Sequence, residues 1–404
     1  MSALCWKCLD DKYLSKMVRK AGERLKCSAC RKTRKAFTVE QLGEKLELVL
    51  RANIRLGRMI GDSEDGYEQS GDSLNFWVQE AIGECHGLDD EIVDAVVGAE
   101  DVDVPGGEEP FFDESASYDS IPASILEHKS EWDLVSKDLK NSRRFFSTVA
   151  KDFFDRLFRD IESMETWNGE TRQYESVVRT VPGGMKLYRA RKLDPARLKE
   201  FYKEPFKSVG PPPPEKSLAG RMNVEGIVAF YGATDSETCL AEVRPAIGGT
   251  TAVIEVETSA QVTLLDFTRL QASRKVLSYF QPDFVAEAER TAFLRHLHTL
   301  ISQPVVPGRE SEYLITQTMA EYLAYVHKNP LDGILFQSVQ RKDGVNLVLF
   351  AKLPTPANPF PLNYVARSFR VYATQGITYE HFEKRVYEYG GDVSFEHEYD
   401  GDEN

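Results

Sequence analysis

No run in the 404-residue chain reaches the roughly 18 to 20 apolar residues that span a bilayer, and no apolar stretch follows a basic start near Met1. No membrane segment is therefore expected, and the expected location is cytoplasmic. Glycine-rich phosphate loops are missing as well. There is no GxGxxG and no Walker A run, so neither a redox dinucleotide fold nor a P-loop is expected. Lys and Arg are absent from Met59 to His128, while acids crowd Asp89 to Glu91, Glu100 to Asp103 and Glu108 to Glu109. That stretch reads as a solvated face with a flexible acidic loop near Pro105 to Pro110. With 42% hydrophobic and 28% charged residues the chain is not a disordered polymer. At about 150 residues per domain its length suggests two to three domains.

Charge is distributed unevenly. The net charge of −14 argues against a protein that coats nucleic acid over its whole surface. Residues 1 to 35, however, hold 11 Lys/Arg against 3 Asp/Glu, a net of +8, which leaves −22 for the remainder. Four of the six cysteines lie in the same segment: Cys5 and Cys8 in CWKC, then Cys27 and Cys30 in CSAC, with 18 residues between the pairs. No signal peptide accompanies them, so two CxxC knuckles point to tetrahedral thiolate coordination of a structural Zn2+ rather than to disulfides. Lys7, Lys26, Arg31 and Lys32 flank the knuckles. They balance thiolate charge, or else make a nucleic-acid contact with the basic amino terminus. Cys85 and Cys239 read as small core residues.

Thr38 followed by Gln41 is a capping box, so a helix is expected to start there and to carry Leu42, Leu46, Leu48 and Leu50. Further amphipathic stretches lie at Ser73 to Glu84 and at Glu131 to Ser163, the latter with Phe145, Phe146, Val149, Phe153, Phe154, Leu157 and Phe158 on one stripe. The pattern changes past Thr166 to short β-branched or aromatic runs: KLYRAR, IVAFY, TAVIEVE, GILFQS and NLVLFA. Helical segments alternate with them at 235 to 244, 284 to 301 and 313 to 327. The four prolines Pro211 to Pro214 impose a stiff approach to the loop beyond them. The expected division is a zinc-ribbon-like module at 1–37, a helical domain at 38–170, a mixed α+β domain at 171–375 and an acidic tail at 376–404. A fragment starting near residue 170 is expected to fold alone.

The segment from Ala219 to Pro245 concentrates the chemistry. Arg221 sits in the turn-rich loop GRMN, Tyr231 ends a strand, and Glu242 lies on a helix expected to be capped by Thr234 with Glu237. Taken singly they read as a surface cation, a half-buried aromatic and a solvated acid. Together, GRMN, AFY and the AEV step resemble the signature of the RES-domain family, toxins named after an Arg, a Glu and a Ser. DGILFQSVQRKDGVNLVLF resembles that family's later strand, and KLYRAR its first, so the resemblance covers about 185 to 355. The helical region is similar to the branch with a HEPN/RES amino-terminal domain.

The resemblance implies an ADP-ribosyltransferase-like fold that acts on NAD by hydrolysis, phosphorolysis or ADP-ribosyl transfer. It implies a site of Arg221, Tyr231, Glu242, Ser338 and Asn346, with Arg189 as a further member. Met222 departs from the more usual Trp. An antitoxin or regulatory protein is the expected kind of partner. Independently of the family, Arg221 and Arg189 suit a doubly anionic pyrophosphate. A carboxylate such as Glu242 suits the oxocarbenium-like ribose left when cationic nicotinamide departs. Tyr231 offers a stacking ring, and Ser338 and Asn346 can orient hydroxyls or an amide. Two other functions compete: a zinc-ribbon binding module for nucleic acid or protein on an inactive scaffold, and a ribonuclease. The latter finds its Arg-to-His spacing only at Arg290 to His296, which reads as a solvated helix face.

Overall fold

The computed structural model describes residues 2–62, 66–101, 109–302, 310–352, 359–376, 385–389 and 392–395. The described chain is mixed α+β. Among the described residues no helix is long and apolar enough to cross a membrane. The acidic loop around Pro105 lies largely outside the described residues, and so does most of the tail, of which Val386–Tyr389 and Asp392–Phe395 pair as an antiparallel hairpin.

By contacts the chain divides into two compact units. The first comprises Met1–Thr180, Ala219–Val224 and Thr263–Phe336, and the second comprises Val181–Leu218, Glu225–Val262 and Gln337–Asn404. The first break falls close to the expected boundary near residue 170. Two later segments from the expected mixed domain, however, group with the amino-terminal unit.

The first unit opens with three antiparallel strands in the order Ala3–Cys5, Thr33–Thr38, Glu23–Lys26. The helix Lys12–Ala21 is capped by Asp11, whose carboxylate accepts the Leu14 N–H at 2.7 Å. The capping box of Thr38 and Gln41 forms as expected and starts the helix Val39–Arg51, although Leu48 faces solvent. This helix runs against Asp89–Gly98, where a Cβ on Gly43 would meet the Ala95 backbone at 2.5 Å. Only glycine allows that approach. One core joins Leu4, Leu14 and Val18 of the cysteine module to Leu42, Leu46, Val78, Ile92 and Tyr118, and Phe280 joins it too. Residues 1–37 therefore share their core with the helices Val39–Arg51 and Asp89–Gly98, because three short strands and one helix bury too little by themselves.

The stripe expected over 131–163 is two helices, Leu126–Asn141 and Thr148–Leu157. Ser147 caps the second by accepting the Ala150 N–H at 3.2 Å, and that break throws Phe145 and Phe146 onto the surface, the latter at a positive φ of 58°. Phe153, Phe154, Leu157 and Phe158 are buried as expected. They meet Phe293 of the Phe284–Ser302 helix and Tyr322, which comes directly after the Leu314–Glu321 helix, so these carboxy-terminal helices complete the aromatic core of the first unit. A fragment from residue 170 would lack Phe153, Phe154 and Phe158, the ring partners of Phe293 and Tyr322. Arg290 is no solvated residue. It is buried, donates to the Leu157 and Arg159 carbonyls and pairs with Glu287 at 2.7 Å.

The second unit is built on antiparallel strands in the order Val345–Phe350, Ala229–Ala233, Lys186–Lys192, Thr250–Thr258, Leu362–Tyr364, with Arg370–Ala373 also pairing with Thr250–Thr258. All five β-rich runs read from the sequence are strands, with ends shifted by up to two residues. The helix Ser236–Val243 packs on this sheet through Thr238 and Cys239. Its cap is Asp235, which accepts the Thr238 N–H at 2.8 Å. Thr234, the expected cap, instead continues the strand edge by donating its N–H to the Val345 carbonyl at 3.0 Å.

Candidate active site

Within the second unit, the Ser236–Val243 helix presents Glu242 on its exposed side, one turn beyond buried Thr238 and Cys239. Two buried side chains converge on it. Ser338 Oγ donates to Glu242 Oε1 at 2.6 Å, and Asn346 Nδ2 donates to the same oxygen at 2.7 Å. Ser338 Oγ in turn accepts the Gln340 N–H at 3.1 Å, which fixes the hydroxyl as a donor toward the carboxylate. Three of the residues expected from sequence are thus in direct contact.

The loop between the strands Gly333–Gln337 and Val345–Phe350 holds Ser338 in place. Ser338 donates its N–H to the Gly344 carbonyl at 2.7 Å and closes the loop. Arg341 ties that loop to the amino end of the helix through Asp235, Glu237 and the Thr238 hydroxyl. Gly344 passes so near the helix that a Cβ there would lie 2.5 Å from Thr238 Oγ1. Arg341 and Gly344 belong to the site's scaffold, and sequence reading missed both. Their only signal was a charged, glycine-containing turn beside an expected site residue.

Arg189, expected to hold phosphate, is half-buried and spends its donors on main chain. Nε bonds the Val209 carbonyl at 2.9 Å and Nη1 the carbonyl of Tyr231. Burial, together with the neighbouring Arg191 charge, lowers its pKa to about 10. Its place in the structure is to lock the strand that carries Tyr231, whose half-buried residue pairs with Val348. Cys239 is buried as expected, and burial pushes its thiol up to about 12 despite the Arg189 charge in reach.

Arg221 belongs to the first unit. There its Nη1 donates to the Ile301 carbonyl, and its guanidinium stacks on Tyr313 at 5.5 Å from the ring centre. The GRMN loop is stapled from behind by the Leu314–Glu321 helix. Thr316 Oγ1 donates to the Arg221 carbonyl at 2.7 Å, and Gln317 Nε2 donates to the carbonyls of Gly220 and Asn223 at 2.7 and 3.0 Å. Met222, where the family more often has Trp, is buried. Thr316 and Gln317 also escaped sequence reading.

Residues 186–367 match the family model of the RES domain. The matched RES region contains every expected site residue, from Arg189 to Asn346, and all of the contacts made by Glu242. No curated protein matches the chain.

A second candidate site lies in the first unit. The sulfurs of Cys5, Cys8, Cys27 and Cys30 all fall within 4.8 Å of one another and could hold a metal ion. Cys5 Sγ stands 3.8 Å from Cys8 Sγ and 3.7 Å from Cys30 Sγ. Zinc–sulfur bonds of about 2.3 Å in a tetrahedron would separate the sulfurs by about 3.8 Å, so the donor set fits zinc. The Lys32 amide lowers the Cys30 pKa to about 6, whereas burial and the neighbouring sulfurs push Cys8 up. Four thiolates at this spacing need a cation among them.

Proposed function

We propose that the chain is an NAD-consuming enzyme that breaks the bond between nicotinamide and ribose, with Glu242 as the catalytic carboxylate. The observation that carries this reading is the pair of buried donors, Ser338 and Asn346, on a single oxygen of an exposed glutamate inside the RES-matched region. They hold the carboxylate in one orientation and leave its second oxygen to be presented to a ligand.

Nicotinamide is a cationic leaving group in NAD, so its departure needs no general acid. Positive charge then develops on the ribose ring. A preoriented carboxylate stabilises that charge more in the transition state than in the ground state, which is what raises turnover. Tyr231 supplies a ring for stacking, while Arg189 acts through the strand it locks. Hydrolysis, phosphorolysis and ADP-ribosyl transfer share this first step and differ in the nucleophile. The four cysteines hold a structural zinc.

The test is to incubate the purified protein with NAD, with and without phosphate, and to identify the products by mass spectrometry. Nicotinamide release is expected. Glu242→Gln keeps the shape of the side chain and removes its charge, so turnover should fall by about 10²- to 10³-fold with little change in NAD binding. Release by that variant at the parent rate would remove the carboxylate from the chemistry.

A further inference from the structure

The amino-terminal module carries far more positive charge than its cysteines require. Its eleven cations against three acids leave +8. A zinc tetrathiolate contributes −2, so about +6 is still unbalanced. The remainder of the chain carries −22, yet among the described residues none of these eleven cations pairs with a carboxylate.

Six of the eleven cations, Lys7, Arg19, Lys20, Arg24, Lys26 and Lys35, follow one another across the hairpin and the helix as a track. Arg24 and Lys26 point to one side of their strand, and Lys35 stands directly across from Arg24. Like charges placed opposite each other cost a sheet stability, so this pair is not there for folding. Lys35 Nζ donates to the Lys20 carbonyl at 2.9 Å, which carries the track onto the helix Lys12–Ala21. The neighbouring Arg19 lies over the Trp6 ring at 5.0 Å, and Lys7 lies over the same ring at 5.2 Å. Stacking on one half-buried indole holds two long side chains in place and reduces the entropy lost when they bind a ligand.

We propose that this track binds the phosphate backbone of nucleic acid. A strand with one charge per nucleotide can meet a row of cations that crosses a hairpin and a helix. A lipid surface fits poorly, because among residues 2–35 Tyr13 is the one large hydrophobic side chain that is exposed, and interfacial binding needs an apolar fringe. The proposal does not depend on the NAD reading.

The experiment uses the full-length, zinc-loaded protein and a labelled single-stranded RNA of about 20 nucleotides, titrated from about 50 to 200 mM salt. Micromolar or tighter binding is expected at the low-salt end, with log K against log salt falling with a slope of about −2 or steeper, as three or more phosphate contacts require. Charge reversal of the exposed side chains in Lys20→Glu/Arg24→Glu/Lys26→Glu should weaken binding by about 10-fold or more. The neutral set Lys20→Gln/Arg24→Gln/Lys26→Gln should weaken it less. Zinc content measured on each variant reports that the module has folded. No binding at low salt, or binding that neither set of variants weakens, overturns the proposal. Equal or tighter binding of polyglutamate of matched length would reassign the track to an acidic protein segment, and tighter binding to anionic vesicles would reassign it to lipid.

Discussion

Glu242 matters through one oxygen, and the smallest change that should disturb it lies elsewhere. A methyl group added by Gly344→Ala would sit 2.5 Å from Thr238 Oγ1, so the loop must back away from the helix and take Ser338 with it. Steady-state assays should show a fall in kcat close to that of Ser338→Ala, with a small loss of stability of about 1 to 3 kcal/mol by denaturant titration. A Gly344→Ala enzyme with parental kcat would show that Ser338 does not need this support. The contrast shows what sequence reveals about single side chains. Glu242, Ser338 and Asn346 could be named because they lie in runs that resemble the RES-domain signature, and the structure brings the three side chains into contact. Gly344 and Arg341 were not, because what they supply is a close approach between segments about a hundred residues apart.

Among the helices, Leu314–Glu321 serves the GRMN loop through two side chains. Gln317→Met keeps the bulk and leaves the Gly220 and Asn223 carbonyls without this donor, at a cost of about 1 to 3 kcal/mol. Gln317→Glu should not restore that stability, because one donor becomes an acceptor, and denaturant titration of the two variants checks it. The long helix Phe284–Ser302 is anchored by Glu287, which is buried among Arg290, Lys275 and Arg159. Burial alone would raise the Glu287 pKa, but the hydrogen bonds from Arg290 and Lys275 win and bring it down to about 2. A depressed carboxylate contributes stability that is present above its ordinary value of 4.5 and is lost as pH falls toward about 2. Glu287→Gln should therefore destabilise the fold by about 3 to 5 kcal/mol at neutral pH, since it leaves Arg290 buried without its partner, and the difference from the parent should shrink on acidification. An unchanged gap down to pH of about 2.5 would count against this account. Helix starts were legible where caps were local, as at Thr38. The break at Ser142 to Ser147 was hidden because Phe145 and Phe146 prolong the apolar period across it.

For the protein as a whole, the metal should decide whether residues 2–101 fold. Structural zinc in small peptides contributes roughly 10 to 16 kcal/mol, and all of it becomes folding free energy when no site exists in the unfolded chain. Elemental analysis should find one zinc per chain, and a strong chelator should lower the thermal midpoint and expose Phe37 and Leu42 to proteolysis. Protein that keeps its midpoint after complete metal removal would contradict the assignment. The cysteine spacing was fully legible, whereas the grouping of the chain was not. Periodicity tells helix from strand, but it does not tell which core a helix completes, and Phe293 and Tyr322 are read correctly only beside Phe153 and Phe154. The chain passes between its two units five times, and the last segment of the first unit ends at Phe336. A ribosome making this protein must therefore extrude more than three quarters of it before either unit has all its parts. Any premature stop before Phe293 yields a polypeptide without Ser338 and Asn346 and with an open aromatic core, so such translation errors release no part that holds the Glu242 contacts.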